Sequence, residues 1–99
     1  METDLKKLLN SKGVVLVEFF ATWCPHCQRM MPVVADVKEK LGDKAKVVQL
    51  DIDKNQALAD ELGVESFPTF IIYKDDIEVT RTSGEMPEAD LYKLVSQYL

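Results

Sequence analysis

Cysteine is scarce in this 99-residue chain: two residues, far below the density of a small secreted scaffold held together by disulfides. Glycine and proline contribute four residues each, too few for a linker, a collagen-like repeat or a low-complexity segment. No apolar run approaches the roughly 18 to 20 residues of a membrane span, and the start, METDLKKLLNSKG, lacks the long apolar stretch of a signal peptide. Basic residues are outnumbered. Twelve Lys and Arg against 17 Asp and Glu leave a net charge of −5, scattered along the chain without the basic clustering that a phosphate backbone requires. These absences argue against a disulfide-stapled scaffold, a membrane protein and a nucleic-acid binder. What remains, 46% hydrophobic and 29% charged residues, is the balance of one globular domain over residues 1–99.

The hydrophobic pattern changes period along the chain. Leu5, Leu8 and Leu9 share one face, with Lys6, Lys7 and Asn10 between them, which predicts a short amphipathic helix ending near Gly13. Residues 14–20, VVLVEFF, form a nearly unbroken run of β-formers and predict a central strand buried on both faces. Cys27, Met30, Met31, Val34, Val37 and Leu41 then recur at helical spacing up to a stop at Gly42, with Pro32 expected to kink that helix. Residues 46–52 read as a second strand, 55–62 as a short helix closed by Gly63, and 69–73 as a third strand. A turn at 74–76 leads into a fourth strand at 77–82. Pro87 can open a last helix at its first position, with Leu91, Leu94, Val95 and Tyr98 as its buried stripe. The order α-β-α-β-α-β-β-α predicts an α/β fold: a mixed sheet of about four strands, the first two parallel across a crossover helix, the last two a hairpin, with helices on both faces.

The chemistry concentrates where the central strand becomes the long helix. Cys24 and Cys27 stand three apart there, both on one face of the first helical turn and close enough to form a small ring. Cys-x-x-Cys in a βα setting reads as a redox pair. Free N–H groups and the positive end of the helix dipole favour a thiolate at Cys24, the expected nucleophile, while Cys27 lies one turn further in as the shielded resolving thiol. Pro25 stiffens the turn without removing a needed bond. His26 is the only histidine. It is either a solvated residue or, through its partial positive charge, a stabiliser of the reduced pair. Two plain core cysteines are the bland alternative. A zinc site needs four ligands where the chain offers two Cys and one His, so no metal is expected.

Three further residues stand out. Glu18 interrupts the apolar strand, either reaching for its end or buried with a raised pKa and exchanging a proton with Cys27. Pro68, in SFPTF, precedes the third strand, where an ordinary trans proline is the default and cis bonds make up only about 5–6% of X-Pro bonds. Trp23, beside Cys24, is either core or an exposed recognition surface.

Taken together, VVLVEFFATWCPHC, the following MMP, LDIDKN, SFPTF and the late Ser83-Gly84 resemble the thioredoxin family, over nearly the whole chain from Gly13 to Leu99. The resemblance implies that Cys24 attacks a substrate disulfide, Cys27 resolves the mixed disulfide, and Glu18 takes the place of a buried acid that is usually aspartate. It also implies that Pro68 is a cis proline facing the redox pair. Trp23, Phe67 and Gly84 would line the groove where an extended substrate segment pairs with the backbone before that proline. Four departures accompany it. Cys-Pro-His-Cys stands where thioredoxins typically have Cys-Gly-Pro-Cys and matches Dsb-type oxidases, whose long helical insertion is absent. Glu18 is one methylene longer than aspartate, and Gln49 replaces a frequent lysine. The family's first strand has no counterpart, which leaves residues 46–52 at an edge able to pair with another chain.

The expected protein is therefore a monomeric thiol-disulfide oxidoreductase that reduces or exchanges disulfides of protein substrates without a cofactor. A thioredoxin-type reductase would be its electron donor, with no nucleic acid or membrane as partner. Its expected home is the cytoplasm, or the periplasm or another oxidising compartment if a signal peptide has been removed. A dithiol oxidase or isomerase, and a thioredoxin-fold binding module or metal carrier, are the alternatives.

Overall fold

A computed structural model describes residues 4–9 and 12–99. In chain order the elements are α1 (Leu5–Leu9), β1 (Val14–Phe20), α2 (Pro25–Leu41), β2 (Ala45–Asp51), α3 (Gln56–Glu61), β3 (Thr69–Lys74), β4 (Ile77–Ser83) and α4 (Glu88–Ser96), with single 3-10 turns at Gly42–Lys44 and Ile52–Lys54. The four strands lie in the order β2-β1-β3-β4. β1 runs parallel to β2, Val14 opposite Ala45 and Phe20 opposite Asp51, and antiparallel to β3; β3 and β4 form an antiparallel hairpin. The four-stranded mixed sheet flanked by helices is the architecture expected, with β2 at an edge.

β1 is central because its alternation serves two cores. Val15, Val17 and Phe19 point to one face, where they pack with Leu50, Ile52, Ala59, Ile71 and both cysteines. Val14 and Leu16 point to the other, against Met30, Val34, Val37 and Leu41 of α2 and Leu91 and Val95 of α4. The buried positions of α2 therefore step by three, four, three and four. Met31 is not among them: it is 60% exposed, one position and about 100° round the helix from Met30, past the margin of the stripe. α2 runs on through Pro32.

The ends of elements differ from expectation by a few residues. α1 is described over Leu5–Leu9, and Asn10, read as part of its polar face, lies outside the described residues together with the stretch up to residue 11. The helix expected over 55–62 covers only Gln56–Glu61, because Asp51 and Asn55 are used in an extra 3-10 turn: Asp51 Oδ1 accepts the Asp53 N–H and its carbonyl accepts from the buried Asn55 amide. Pro87 sits one position before α4 as its N-cap, with extended backbone (ψ 152°), instead of at the first helical position. Leu91 and Val95 are the buried residues of α4, while Leu94 and Tyr98 are half-buried at its margin. The 74–76 turn is made by Asp75 and Asp76 at φ 50° and 71°, the left-handed pair that a tight hairpin requires. Asp75 also binds Gly13 through backbone and side chain, locking the turn to the start of β1.

Candidate functional site

Strand β1 delivers the chain to the site. After Phe20, the segment Ala21–Thr22–Trp23 turns once and Cys24 becomes the N-cap of α2, its backbone still extended (φ −90°, ψ 120°), with Pro25 opening the helix. The Cys24 N–H donates to the Ala21 carbonyl and the Cys24 carbonyl accepts the first helical bond, from Gln28. The Gln28 side chain reaches back to the Thr22 carbonyl, so the turn is held from both sides.

The two sulfurs, both free thiols here, sit in unlike surroundings. The Cys27 backbone N–H, aimed at Cys24 Sγ, does most to lower the Cys24 pKa; burial opposes it, and the Cys27 side chain, the His26 backbone N–H and the charge of Arg29 add to the lowering. Cys24 Sγ also lies 3.7 Å from the Phe67 carbonyl, a long contact in which the thiol donates. Cys27, 2% exposed, is pushed up to about 11, chiefly by burial; the Ala21 N–H donating to its sulfur at 3.4 Å works the other way. One thiol is thus poised to ionise and its neighbour to hold its proton.

Glu18 is buried, 1% exposed, and does not reach the strand end. Register places it opposite Gln49 on β2, and the Gln49 amide donates to Glu18 Oε1 at 2.9 Å. Burial raises the carboxyl's pKa and the Gln49 bond only partly offsets that, while its charge, when present, raises the Cys27 pKa. Between the ordinary glutamate value and the raised one, the folded chain holds a proton that the unfolded chain has lost, so stability falls as pH rises through that window. Glu18→Gln removes this slope. In urea unfolding the variant is expected to gain more stability relative to wild type at pH 8 than at pH 4; an equal difference at both would show that the carboxyl titrates normally.

The other predicted residues surround the pair from separate elements. The Phe67–Pro68 bond is cis, and the Pro68 carbonyl accepts from the N–H of Gly84, which has φ 91°. Trp23 is 62% exposed, its ring edge-on to Phe67 with centroids 6.4 Å apart and its indole N–H donating to Asp53 at 3.2 Å. Trp23, Phe67, Ile52, Val64, Asp53 and Gln56 line an open hollow of about 310 Å³. A smaller apolar hollow of about 180 Å³ lies on the Cys27 side, beside Met31 and Phe20.

The His26 side chain is 60% exposed and pairs with Glu85. Its imidazole Nδ1 lies 2.6 Å from Glu85 Oε2, in the loop after β4, and the His26 group that lowers the Cys24 pKa is the backbone N–H. The positive side chain that bears on Cys24 is Arg29, five residues further along α2. Arg29 grips the same Glu85 through Nε and Nη2 at 2.7–3.0 Å. Arg29 has a local signal, one turn after His26; Glu85 has none beyond following Gly84, since its partners are 56 and 59 residues away.

Comparison with known proteins agrees with this geometry. The family model described as Thioredoxin matches residues 2–97. The chain is 40% identical over 90 residues to Thioredoxin of Bacillus subtilis (strain 168), covering 91% of this chain and 86% of that one. It is 41% identical over 92 residues to the chloroplastic Thioredoxin Y of Oryza sativa subsp. japonica, covering 93% of this chain but only 55%, about half the length, of that relative. Among solved structures, Fasciola hepatica thioredoxin superposes with a TM-score of 0.88 at 31% identity, covering 96% of this chain and 91% of that one. A mutant thioredoxin from Halobacterium salinarum NRC-1 gives 0.89 at 34%, covering 99% and 87%. On its fold, its paired cysteines and these relatives, the chain belongs to the thioredoxin family and is a thiol-disulfide oxidoreductase.

Proposed function

We propose that the chain, working as one domain over residues 1–99 and as a monomer, reduces disulfides of protein substrates, with Cys24 as nucleophile and Cys27 as resolving thiol. The Cys24 thiolate attacks one sulfur of the substrate disulfide; the substrate S–S bond breaks, a Cys24–substrate disulfide forms and a substrate thiolate leaves. Cys27, losing its proton to Glu18 or to water, attacks Cys24 Sγ and releases the second substrate thiolate. Two electrons have then passed to the substrate, and Cys24 and Cys27 share a disulfide. Thioredoxin-family proteins act on disulfide substrates and are reduced by thioredoxin reductase; a reductase of that type is the donor proposed here. The cytoplasm is the proposed compartment, where such a donor works; among the described residues no helix is long and apolar enough to cross a membrane.

The observation that carries the reading is the asymmetry of the pair: Cys24 caps the N-terminus of α2, where backbone N–H groups lower its pKa, and Cys27 lies one turn deeper, 2% exposed, where burial raises its own. Trp23, Phe67, Pro68 and Gly84 are the proposed substrate rim, with the backbone at Phe67 pairing to an extended segment. Cys27→Ser tests the division of labour. With a disulfide-containing protein substrate the variant is expected to accumulate a mixed disulfide through Cys24, stable in non-reducing electrophoresis and released by dithiothreitol. Full turnover by the variant, or a trap at residue 27 in Cys24→Ser, would overturn it.

A further inference from the structure

Glu85 has no role in the reaction just described, yet it is the meeting point of two side chains from the first turns of α2. Its carboxylate takes three contacts from two nitrogens of the Arg29 guanidinium, 2.7 Å from Nη2 and 2.9 and 3.0 Å from Nε, and lies 2.6 Å from His26 Nδ1; Arg29 Nη2 is itself 3.0 Å from that nitrogen. The three side chains are well exposed, and exposed ion pairs contribute little to stability. Their importance is one of place. Arg29 supplies the side-chain positive charge that bears on Cys24, and Glu85 follows Gly84, whose N–H holds the Pro68 carbonyl. A planar guanidinium held at two points cannot swing its charge towards the sulfur as a free one could.

We propose that Glu85 is a positioning residue for the dithiol chemistry: by clamping Arg29 and accepting from His26, it offsets the positive charge that α2 presents beside Cys24 and so limits how strongly the reduced pair is favoured. The inference rests on Cys24 as the attacking thiolate. It also gives the His-containing tetrapeptide a partner, since His26 Nδ1 lies 2.6 Å from Glu85 Oε2. The carboxylate is itself held down to about 2 by Arg29 and then His26, so it stays charged at any pH where the thiols exchange. The titratable and charged groups around Cys24 are Cys27, His26 and Arg29 on its own helix, Glu85 after β4, Glu18 on β1 acting on Cys27, and Asp53 after β2, which holds Trp23.

The test is the pH dependence of Cys24 alkylation by iodoacetamide in the reduced full chain, located by peptide mass, together with the equilibrium constant with glutathione. Glu85→Gln is expected to move the alkylation midpoint down by about half a pH unit, the size of one exposed charge uncovered nearby, which is about threefold in rate at a pH below the midpoint. The glutathione equilibrium should shift towards the dithiol. Glu85→Asp should restore part of the wild-type midpoint, and Arg29→Gln should move it up. Arg29→Gln with Glu85→Gln should lie near Arg29→Gln alone, because Glu85 acts mainly through Arg29. A Glu85 that merely ties down its loop would change unfolding but not the midpoint, and an unchanged or raised midpoint in Glu85→Gln overturns the proposal. Alkylation of wild type at Cys27 instead of Cys24 would overturn the functional reading beneath it, and the peptide masses distinguish that failure from the first.

Discussion

Cys24→Ser is expected to lower dithiothreitol-driven reduction of a protein disulfide by at least about a thousandfold, down to the rate of dithiothreitol alone. A serine hydroxyl at that position has no base to take its proton: Cys27 is held protonated beside it, and Glu18 lies behind Cys27 with its own proton affinity raised by burial. The remaining thiol cannot stand in. Burial, the main cause of its raised pKa, survives the substitution, so Cys27 stays protonated at pH 7, and its sulfur is shielded from any substrate of protein size. Retention of more than a tenth of the wild-type rate would mean that Cys27 reaches substrate on its own and that the two roles are not divided.

Phe19→Ala is expected to cost about 3–5 kcal/mol, a large part of the stability of a domain of this size. Phe19 is fully buried in the central strand, opposite Leu50 on β2 and Thr69 on β3, in the same cluster as Val17, Ala21 and both cysteines. The two flanking strands fix the backbone, so the space left by the ring cannot close, and the midpoint of thermal unfolding should fall by roughly 20 °C. Ile77→Ala removes a large side chain that is 68% exposed and should stay within about 0.5 kcal/mol of wild type. A loss below about 1 kcal/mol for Phe19→Ala would show that the core can repack around the hole.

The parts of the molecule that could be read from its residues are those whose cause is local or periodic. A nearly unbroken β-forming run followed by a helix start is enough to place β1 in the middle and Cys24 at the cap, and Gly42 and Gly63 mark turns close to where α2 and α3 end. Met31 escaped because a two-residue margin of a helical stripe depends on which neighbour covers it, and nothing does. The burial of Glu18 needed the sheet order, since only β2 alongside β1 brings Gln49 opposite it. The cis bond before Pro68 was readable from family resemblance but not from the residues. The pairing of Arg29 with Glu85 stayed hidden for a different reason: the two lie on separate parts of the chain, and polar contacts across more than fifty residues leave no periodic trace.

The chain has a single tryptophan, and it occupies the position next to Cys24. Because Trp23 is mostly open to water while touching Phe67 and Asp53, its fluorescence arises entirely from the rim of the reactive groove. Binding of a substrate segment would shed water from the indole and shift its emission to shorter wavelength, and a change in the Phe67 or Asp53 contact would alter its intensity. The molecule therefore carries a built-in optical probe at its working surface. Encounter, mixed-disulfide formation and release can be followed in real time on the unlabelled protein, by exciting at the red edge of the indole band where its three tyrosines do not absorb.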